Sequence, residues 1–437
     1  MNKSIHRVEV CSPIIFKHIE DKGFLHRVAE HVHAESFSDL RCVMAEYRQT
    51  MIGLVTLGLR EVFKQYEEFK RETPMVRIGD QHSVVETYYR TPPGQKQVLL
   101  DWTGVRYLSS AEGSLVVQYD VERGLCHQAR LRCYIHRTQL HQAFAFLDAL
   151  DRVIKGTKRT LLSGEGELLE LDRPYTWEEL VLPEPLKQTL NQQIQVFIQK
   201  RNLFEALHIP FKRGVLLYGA PGNGKTLLGK VLASQVDANF IWVTPKTFDQ
   251  AGVKAVEAVF SLARLIQPAI VFYEDIDLLG GNSRFMGVRS LLGELLNQLD
   301  GLLTNTGVIT IATTNFCKEL DKALSHRPGR FDLRMEFPNP RPQERHSLLT
   351  RALDGIPISP PLLAWTVDRT EGASCAQTVE VVYRAKLLAV EEAFSQDGVV
   401  IDAKHIEQAC QQIMGQKRAI GFQNNHQVPA ETVQGSG

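Results

Sequence analysis

Residues 219–226 read Gly-Ala-Pro-Gly-Asn-Gly-Lys-Thr and match the pattern G-x-x-x-x-G-K-[ST]. Residues 215–218 before them have the apolar composition of a buried strand, and residues 227–236 after them have the spacing of a helix. In that setting, glycines let successive backbone N–H groups converge on phosphate oxygens, and the helix N-terminus adds the positive end of its dipole. The stretch therefore predicts a phosphate-binding loop; a glycine-rich turn that matches by chance is the alternative.

The side chains of this loop predict a nucleotide with magnesium. We expect Lys225 to reach the β- and γ-phosphates and the Thr226 hydroxyl to ligate Mg²⁺. The predicted cofactors are accordingly ATP and Mg²⁺. The predicted nucleotide contacts are Gly219, Ala220, Pro221, Gly222, Asn223, Gly224, Lys225, Thr226 and Leu227.

A pair of acidic residues follows a second candidate strand downstream of the loop. Residues 269–273 are apolar and lead directly into Glu274, Asp275, Ile276 and Asp277. Carboxylates at the carboxyl edge of a sheet, downstream of a phosphate loop, can hold magnesium and orient water. We expect Glu274 on the magnesium side and Asp275 beside the attacking water. The alternative is that these acids only cap the following helix.

The rest of the chain divides by its hydrophobic period. Apolar strands at 214–219, 240–244, 269–275 and 308–315 alternate with helical stretches, which predicts a parallel sheet covered on both faces. Upstream, the pattern predicts a helical part, a β-rich part with turn signals and a further helix. The predicted domains are an α+β recognition domain 1–172 (helical 1–75, β-rich 80–137, helix 138–154), an α/β core 173–340, a helical lid 341–415 and a flexible tail 416–437.

Two later motifs complete a family resemblance. Residues 308–315 read Val-Ile-Thr-Ile-Ala-Thr-Thr-Asn and end in Asn315, which can hydrogen-bond water or phosphate. Residues 320–332 read Leu-Asp-Lys-Ala-Leu-Ser-His-Arg-Pro-Gly-Arg-Phe-Asp. With the loop and the acidic pair, residues from about 175 to 415 resemble an ATPase module of the AAA-proper clade. The resemblance implies a P-loop NTPase parallel sheet with a helical AAA lid, and Mg-dependent ATP hydrolysis.

The same resemblance implies further roles. Arg327 and Arg330 match arginine fingers that reach a neighbouring subunit's nucleotide, where a planar, always-charged guanidinium suits spread phosphoryl charge. Such a site is completed only between subunits, so a homo-oligomeric ring, a hexamer or heptamer, is expected. Surface or ion-pair arginines are the alternative. The sequence Gly372-Ala-Ser-Cys-Ala376 resembles the start of the lid helix and places Ala376 at the nucleotide, with Cys375 where the family usually has glycine.

The order of the two acids departs from the family pattern, which is Asp then Glu. Asp275 is one methylene shorter than the usual water-activating residue, about 1.5 Å by ordinary bond lengths. Either the backbone moves closer, a water relays, or hydrolysis is slow. This order, and Ile-Pro-Phe-Lys-Arg-Gly at 209–214, resemble the mitochondrial respiratory complex III assembly chaperones and their bacterial relatives. Those chaperones carry a membrane span, which we do not expect here, so a soluble relative without the mitochondrial role is predicted.

Composition sets wider bounds. The chain of 437 residues has 50 Lys+Arg against 50 Asp+Glu, a neutrality that weighs against nucleic acid as partner. Its 43% hydrophobic content argues against a disordered chain, and its seven cysteines predict free thiols in a reducing compartment. The most apolar run, 51–57, is too short to span a bilayer. With no secretory signal, we expect a cytoplasmic protein.

Four weaker patterns remain open. Phe248, in the stretch 246–252, lines a pore or packs in the core, the latter being favoured. The residues Cys126, His127, Cys133, His136 and His141 suggest zinc, but strand alternation sends Cys133 and His136 to opposite faces. His31 and His33 are expected on a solvated helix. Arg130, Arg132 and Arg137 form a basic stripe, for which a solvated sheet face is favoured over nucleic acid.

The main functional hypothesis is an ATP-driven ring that remodels a protein or a complex, with the N-terminal part recognising the client. A nucleotide-switched scaffold with little turnover is the second, and a nucleic-acid-handling ATPase the third. The sequence does not identify the client.

Overall fold

The computed structural model describes residues 7–11, 22–65, 67–69, 104–122, 128–209, 211–277, 288–300, 305–315, 331–354, 356, 358–392 and 400–419. Within these residues the strands form two six-stranded sheets, one antiparallel and one parallel. A helical layer follows the parallel sheet.

The antiparallel sheet is built by the N-terminal part, in the order β1-β2-β6-β5-β4-β3. Its strands are β1 (Arg7–Cys11), β2 (Leu40–Arg48), β3 (Glu67–Phe69), β4 (Gly104–Ser110), β5 (Gly113–Glu122) and β6 (Gln128–His136). Its helices are α1 (Lys22–His31), α2 (Ile52–Phe63) and α3 (Leu140–Lys155). Helix α1 covers one face with Phe24, Leu25 and Val28, and α2 and α3 cover the other.

The prediction of helices throughout residues 1–75 was wrong for β1, β2 and β3. In β2, Leu40 and Cys42 are buried against α1, while Val43, Ala45 and Tyr47 are buried against α2 and α3. A strand covered on both faces shows no alternation between apolar and polar residues, so its period of two is hidden. The helix within 52–63, the strands within 104–136 and the helix at 138–154 were predicted correctly. Residues 80–103 of the predicted β-rich part lie outside the described residues.

Two of the weaker patterns find structural explanations in this sheet. Ala129, Leu131 and Cys133 of β6 are buried on one face, as alternation predicted. His136 instead caps the next turn by accepting a hydrogen bond from the Thr138 N–H. Among the described residues, no group of three or more potential metal ligands comes together; Cys126 and His127 lie outside them.

The basic stripe is balanced by acidic neighbours. The Arg130 Nε lies 3.2 Å from the carboxylate of Glu46, which stands opposite it on β2. Arg137 likewise pairs with Asp39 at 3.1 Å. Arginines paired with carboxylates in this way create little positive electrostatic potential to attract a polyanion. This agrees with the predicted solvated sheet face.

The parallel sheet has the order β12-β8-β11-β10-β9-β7. Its strands are β7 (Leu161–Ser163), β8 (Lys212–Tyr218), β9 (Asn239–Val243), β10 (Ala269–Tyr273), β11 (Val308–Thr314) and β12 (Leu333–Glu336). The accompanying helices are α4 (Glu184–Asn191), α5 (Phe197–Gln199), α6 (Arg201–Ala206), α7 (Lys225–Gln235), α8 (Phe248–Ala251), α9 (Val253–Leu265) and α10 (Val288–Asp300).

The four predicted strands of this sheet are confirmed as β8, β9, β10 and β11. Sequence reasoning missed the edge strands β7 and β12, which are only three and four residues long. Strand β7 pairs with β9 although it precedes the predicted core boundary at residue 173. The second sheet therefore begins at Leu161, twelve residues before the predicted boundary.

A short hairpin after β7 joins the two sheets. The Gly164 N–H donates to the Trp242 carbonyl at 2.8 Å, while the Gly166 carbonyl accepts from the Gly53 N–H in α2 at 3.0 Å. Gly166 has φ +88°, and a Cβ there would lie 2.0 Å from the Thr50 carbonyl oxygen. Only glycine fits this crossing point. One buried apolar cluster consequently runs from α2 and α3 into α9.

Four helices follow, which confirms the predicted helical character of 341–415. They are α11 (Pro342–Ala352), α12 (Pro360–Arg369), α13 (Cys375–Glu392) and α14 (Ala403–Ala419). Ion pairs tie them together, with Arg369 bonded to Glu407 and Lys404 to Glu392. Helix α14 continues to Ala419, four residues past the predicted end, and the rest of the predicted tail lies outside the described residues.

Two whole-chain expectations can be checked on the described residues. There, no helix combines the length and the apolar character needed to cross a bilayer. Cys42, Cys133, Cys375 and Cys410 are free thiols, as the scattered cysteines suggested.

Candidate functional site

The predicted phosphate loop lies between β8 and α7. Lys225 is the first residue of α7, and its ammonium donates to the Gly219 and Ala220 carbonyl oxygens at 2.6 and 3.0 Å. The lysine side chain thus folds back into the curve of its own loop, where it bonds two carbonyl oxygens. Burial lowers the pKa of Lys225, an effect opposed by the nearby carboxylates of Asp275 and Asp277. The Thr226 side chain is exposed at the helix start, and Leu227 packs partly against the core.

Glu274 follows β10 and lies directly beside the loop. The Thr226 hydroxyl donates to its Oε1 at 2.6 Å, and the Trp242 indole N–H donates to its Oε2 at 3.0 Å. A hydroxyl oxygen and a carboxylate oxygen at this spacing are hard donors of the kind that Mg²⁺ prefers. Thr226 and Glu274 therefore fit the magnesium role that the sequence predicted for them.

Asp275 adopts a special backbone conformation next to Glu274. Its φ is +48°, in the left-handed region that aspartate tolerates better than most residues. Its N–H donates to the Thr313 hydroxyl at 2.8 Å, and the Asn315 side-chain amide donates to its Oδ1 at 3.4 Å. Burial raises the pKa of Asp275, and the neighbouring Asp277 and Glu274 charges raise it further.

The structure thus brings the predicted Asp275 and Asn315 together at one sheet edge. The Asn315 N–H also donates to the Asp277 carboxylate at 3.1 Å, which ties the ends of β10 and β11. Asp275 and Asp277 both accept hydrogen bonds from Asn315 at this edge, and the residues just after Asp277, where the alternative places a helix cap, lie outside the described residues. Arg327 and Arg330 lie outside the described residues, so their predicted role stays a prediction.

The start of the lid contacts the loop, and the nucleotide contact that the resemblance implied for Ala376 stays a prediction. The Ala376 N–H donates to the Gly222 carbonyl at 2.9 Å, and the Cys375 N–H donates to Asn223 Oδ1 at 3.1 Å. The Asn223 amide also donates to the Phe337 carbonyl and to Asn339 Oδ1, at 3.2 and 2.9 Å. The buried Asn223 side chain therefore clamps the loop to the lid instead of facing outward.

Phe248 belongs to the core, which was the favoured prediction. It begins α8 with 7% of its surface exposed and stacks on Tyr273, with ring centroids 6.5 Å apart. A ring in this position is not available to line a pore.

Sequence reasoning missed three contributors to the site: Trp242, Thr313 and the clamp formed by Asn223. A tryptophan in a strand reads as core packing, and a threonine inside β11 reads as an ordinary strand former. The only available signal was their position near the carboxyl ends of strands that flank the acidic pair.

Comparisons with known proteins agree with this geometry. Residues 215–339 match the family model described as "ATPase family associated with various cellular activities (AAA)". That range begins in β8, contains the loop, Glu274, Asp275 and Asn315, and ends just past β12.

Similar proteins extend the match. The chain is 31% identical over 357 residues to the proteasome-activating nucleotidase of Methanoculleus marisnigri, covering 76% of this chain and 83% of that protein. It is 32% identical over 281 residues to the ATPase family protein 2 homolog of Caenorhabditis elegans, covering 62% of this chain and 38% of that protein. It is also 35% identical over 236 residues to the 26S proteasome regulatory subunit 6B homolog of Schizosaccharomyces pombe, covering 51% and 59%. The chain thus spans well under two thirds of some relatives.

A parallel P-loop sheet with a helical lid, a lysine-bearing phosphate loop and an acidic strand end occur here in one chain. They coincide with the matched family range and with a relative that the chain largely covers. The chain belongs to the AAA family of ATPases.

Proposed function

We propose that the chain hydrolyses the magnesium complex of ATP at the site formed by the loop, Glu274 and Asp275, and that the turnover remodels a protein client. The observation that carries the proposal is the 2.6 Å hydrogen bond between Thr226 and Glu274, with Asp275 held next to it. It supports the proposal because Thr226 and Glu274, the two residues proposed to hold magnesium, lie beside Asp275, the carboxylate proposed to activate water.

Each residue then has a distinct task. Lys225 exchanges its two loop carbonyls for β- and γ-phosphate oxygens, which its lowered pKa does not prevent because the phosphates stabilise the ammonium. Thr226 and Glu274 would hold Mg²⁺, which would neutralise negative charge that develops on the phosphates. Asp275 orients the attacking water and accepts its proton, since its raised pKa makes it a better base than an ordinary aspartate. The Asn315 amide positions the same water.

The ring that the sequence suggested is supported by exposed apolar side chains on two separate elements. One surface lies on α6 and just after it, where about half or more of each of Leu203, Leu207 and Ile209 is exposed. The other lies on α13, where Tyr383 and Val390 are exposed to a similar extent. Two different apolar surfaces on one chain suit a head-to-tail contact, which closes into a ring when the rotation allows. Arg327 and Arg330 are proposed to complete a neighbour's site across that contact. A hexamer or heptamer, and a kinship with complex III assembly chaperones, belong to this proposal.

The concentration dependence of turnover tests the interface mechanism. ATPase activity per subunit is expected to rise with protein concentration as the ring forms, and Arg330→Ala is expected to lose most activity while still binding ATP. Flat activity per subunit at high dilution, with full activity in Arg330→Ala, would contradict a site that is completed in trans.

A nucleotide-switched scaffold is the second candidate, and one observation favours it. Asp275 is short for its task, and its Oδ1 already accepts from Asn315. If wild type and Asp275→Asn show the same near-zero turnover while ATP still drives assembly, the scaffold replaces the motor.

A further inference from the structure

The two carboxylate oxygens of Glu274 have different donors. Oε1 accepts from the Thr226 hydroxyl in α7, and Oε2 accepts from the Trp242 indole in β9. The carboxylate therefore bridges the phosphate-loop helix and the strand next to its own.

Glutamate needs such a second anchor more than aspartate does. Its extra methylene adds a rotatable bond, and ordering a glutamate side chain costs up to about 2 kcal/mol of rotamer entropy. An indole N–H is purely a donor and cannot compete as a metal ligand. Because each carboxylate oxygen has two lone-pair sites, the bond from Trp242 leaves Glu274 free to ligate a cation.

The position of Trp242 is prepared by a glycine on the facing helix. A Cβ at Gly229 of α7 would lie 2.8 Å from the Phe272 ring and 2.9 Å from the Trp242 ring. Trp242 and Phe272 pack with ring centroids 4.9 Å apart. Glycine inside a helix is less favourable than alanine by roughly 1 kcal/mol, so its presence here has a packing reason. Gly229 leaves the space in which the indole reaches Glu274.

We propose that Trp242 is a positioning residue that holds Glu274 in the orientation needed for magnesium. The inference rests on the proposed role of Glu274 in the nucleotide site. It adds a specific hydrogen bond from the Trp242 N–H on β9 to Glu274 Oε2, an oxygen to which no other described donor bonds.

The test is a magnesium titration of nucleotide binding. Binding of a fluorescent, slowly hydrolysed ATP analogue is measured in EDTA and with increasing Mg²⁺, for wild type and Trp242→Phe. Phenylalanine keeps an aromatic ring in the cluster but removes the N–H. We expect about a tenfold higher Mg²⁺ midpoint, the usual effect of losing a hydrogen-bond partner of a metal ligand, with binding in EDTA unchanged.

A control and a cycle separate positioning from general packing. Phe240→Leu disturbs the same aromatic cluster, 5.7 Å from Trp242, without touching Glu274, and is expected to leave the midpoint unchanged. In the Glu274→Gln background, Trp242→Phe is expected to add little, because the two residues act as one unit. Gly229→Ala, which displaces the indole, is expected to raise the midpoint as well, and serves if Trp242→Phe does not fold.

The outcomes are distinct. If Glu274→Gln raises the midpoint but neither Trp242→Phe nor Gly229→Ala does, Trp242 is only a core residue and the inference is overturned while the nucleotide site stands. If Glu274→Gln itself leaves the midpoint unchanged, Glu274 does not hold magnesium, and the proposed function fails with the inference.

Discussion

The Asn223 side-chain oxygen accepts a hydrogen bond from the Cys375 N–H at 3.1 Å, joining the phosphate loop to the first residue of α13. The same side chain donates to the Phe337 carbonyl and to Asn339. One buried amide thus holds together the loop, the chain after β12 and the lid. The loop and the first turn of the lid are therefore linked through a single side chain.

Asn223→Ala should weaken both the fold and the coupling to the lid. Removing a buried side chain that leaves partners unsatisfied costs about 2 kcal/mol. We expect a lower unfolding free energy and weaker nucleotide binding. Asn239→Ala is the matched control, since Asn239 is equally buried and bonds Thr160 and Thr157 away from the loop. An equal loss of nucleotide affinity in both variants would show that Asn223 acts through stability alone.

Cys375 should react very slowly with thiol reagents. Burial raises the pKa of its thiol to about 11, so at pH 8 only about one thiol in a thousand is ionised, against roughly a quarter for a free cysteine. Labelling with iodoacetamide, mapped to Cys375 by mass spectrometry, should be slow in the native protein and faster in Asn223→Ala. Native labelling at the rate of a free thiol would mean that the lid start is not docked.

Tyr273→Phe should not destabilise the protein. The Tyr273 hydroxyl is buried among aromatic rings, and within the described parts of the chain no hydrogen-bond partner lies near it. Burial raises the pKa of Tyr273, as expected for a phenol that cannot easily ionise. Deleting a buried unsatisfied group is expected to be neutral or stabilising by about 1 kcal/mol. Urea unfolding decides this, and a clear loss of stability would reveal a partner for the hydroxyl.

Asp275 should shift the acid side of the pH–activity profile to higher pH than an ordinary aspartate would give. Burial and the Asp277 and Glu274 charges raise its pKa in the folded protein, so protonation stabilises the fold and ionisation removes that contribution. Relative to Asp275→Asn, wild-type stability should therefore fall as pH rises from about 4 through the raised pKa. Turnover should rise over the same window, because the ionised form is the base. A pH-independent stability difference would exclude the raised pKa.

Much of the candidate nucleotide site could be located from the sequence because its residues lie in contiguous motifs. Glycines, Lys225 and Thr226 occur at fixed spacing, and an apolar run that ends in acids marks a strand edge. The contacts made by Trp242 and Thr313 were not predictable, since their side chains look like ordinary strand residues until the register of β9, β10 and β11 is known. Hydrogen bonds between strands that are distant along the chain depend on that register, which the local sequence does not specify.

The N-terminal sheet was harder to predict for a different reason. Strand β2 is buried on both faces, so its apolar residues also satisfy a helical spacing, and a helix was the wrong interpretation. Strand β7 is too short to give a pattern and is recognisable only through its pairing with β9. Helix α3, with one buried and one exposed face, was predicted correctly because its period is visible.

Single-turnover hydrolysis by wild type and Asp275→Asn tests the central claim most directly. With magnesium and saturating protein, both should bind ATP with similar affinity, because Lys225 and Thr226 are intact. The rate of phosphate release should fall at least about a hundredfold in the variant, the range expected for losing a general base. An unchanged rate in Asp275→Asn, with ATP fully bound, would contradict the assignment of Asp275 and the mechanism built on it.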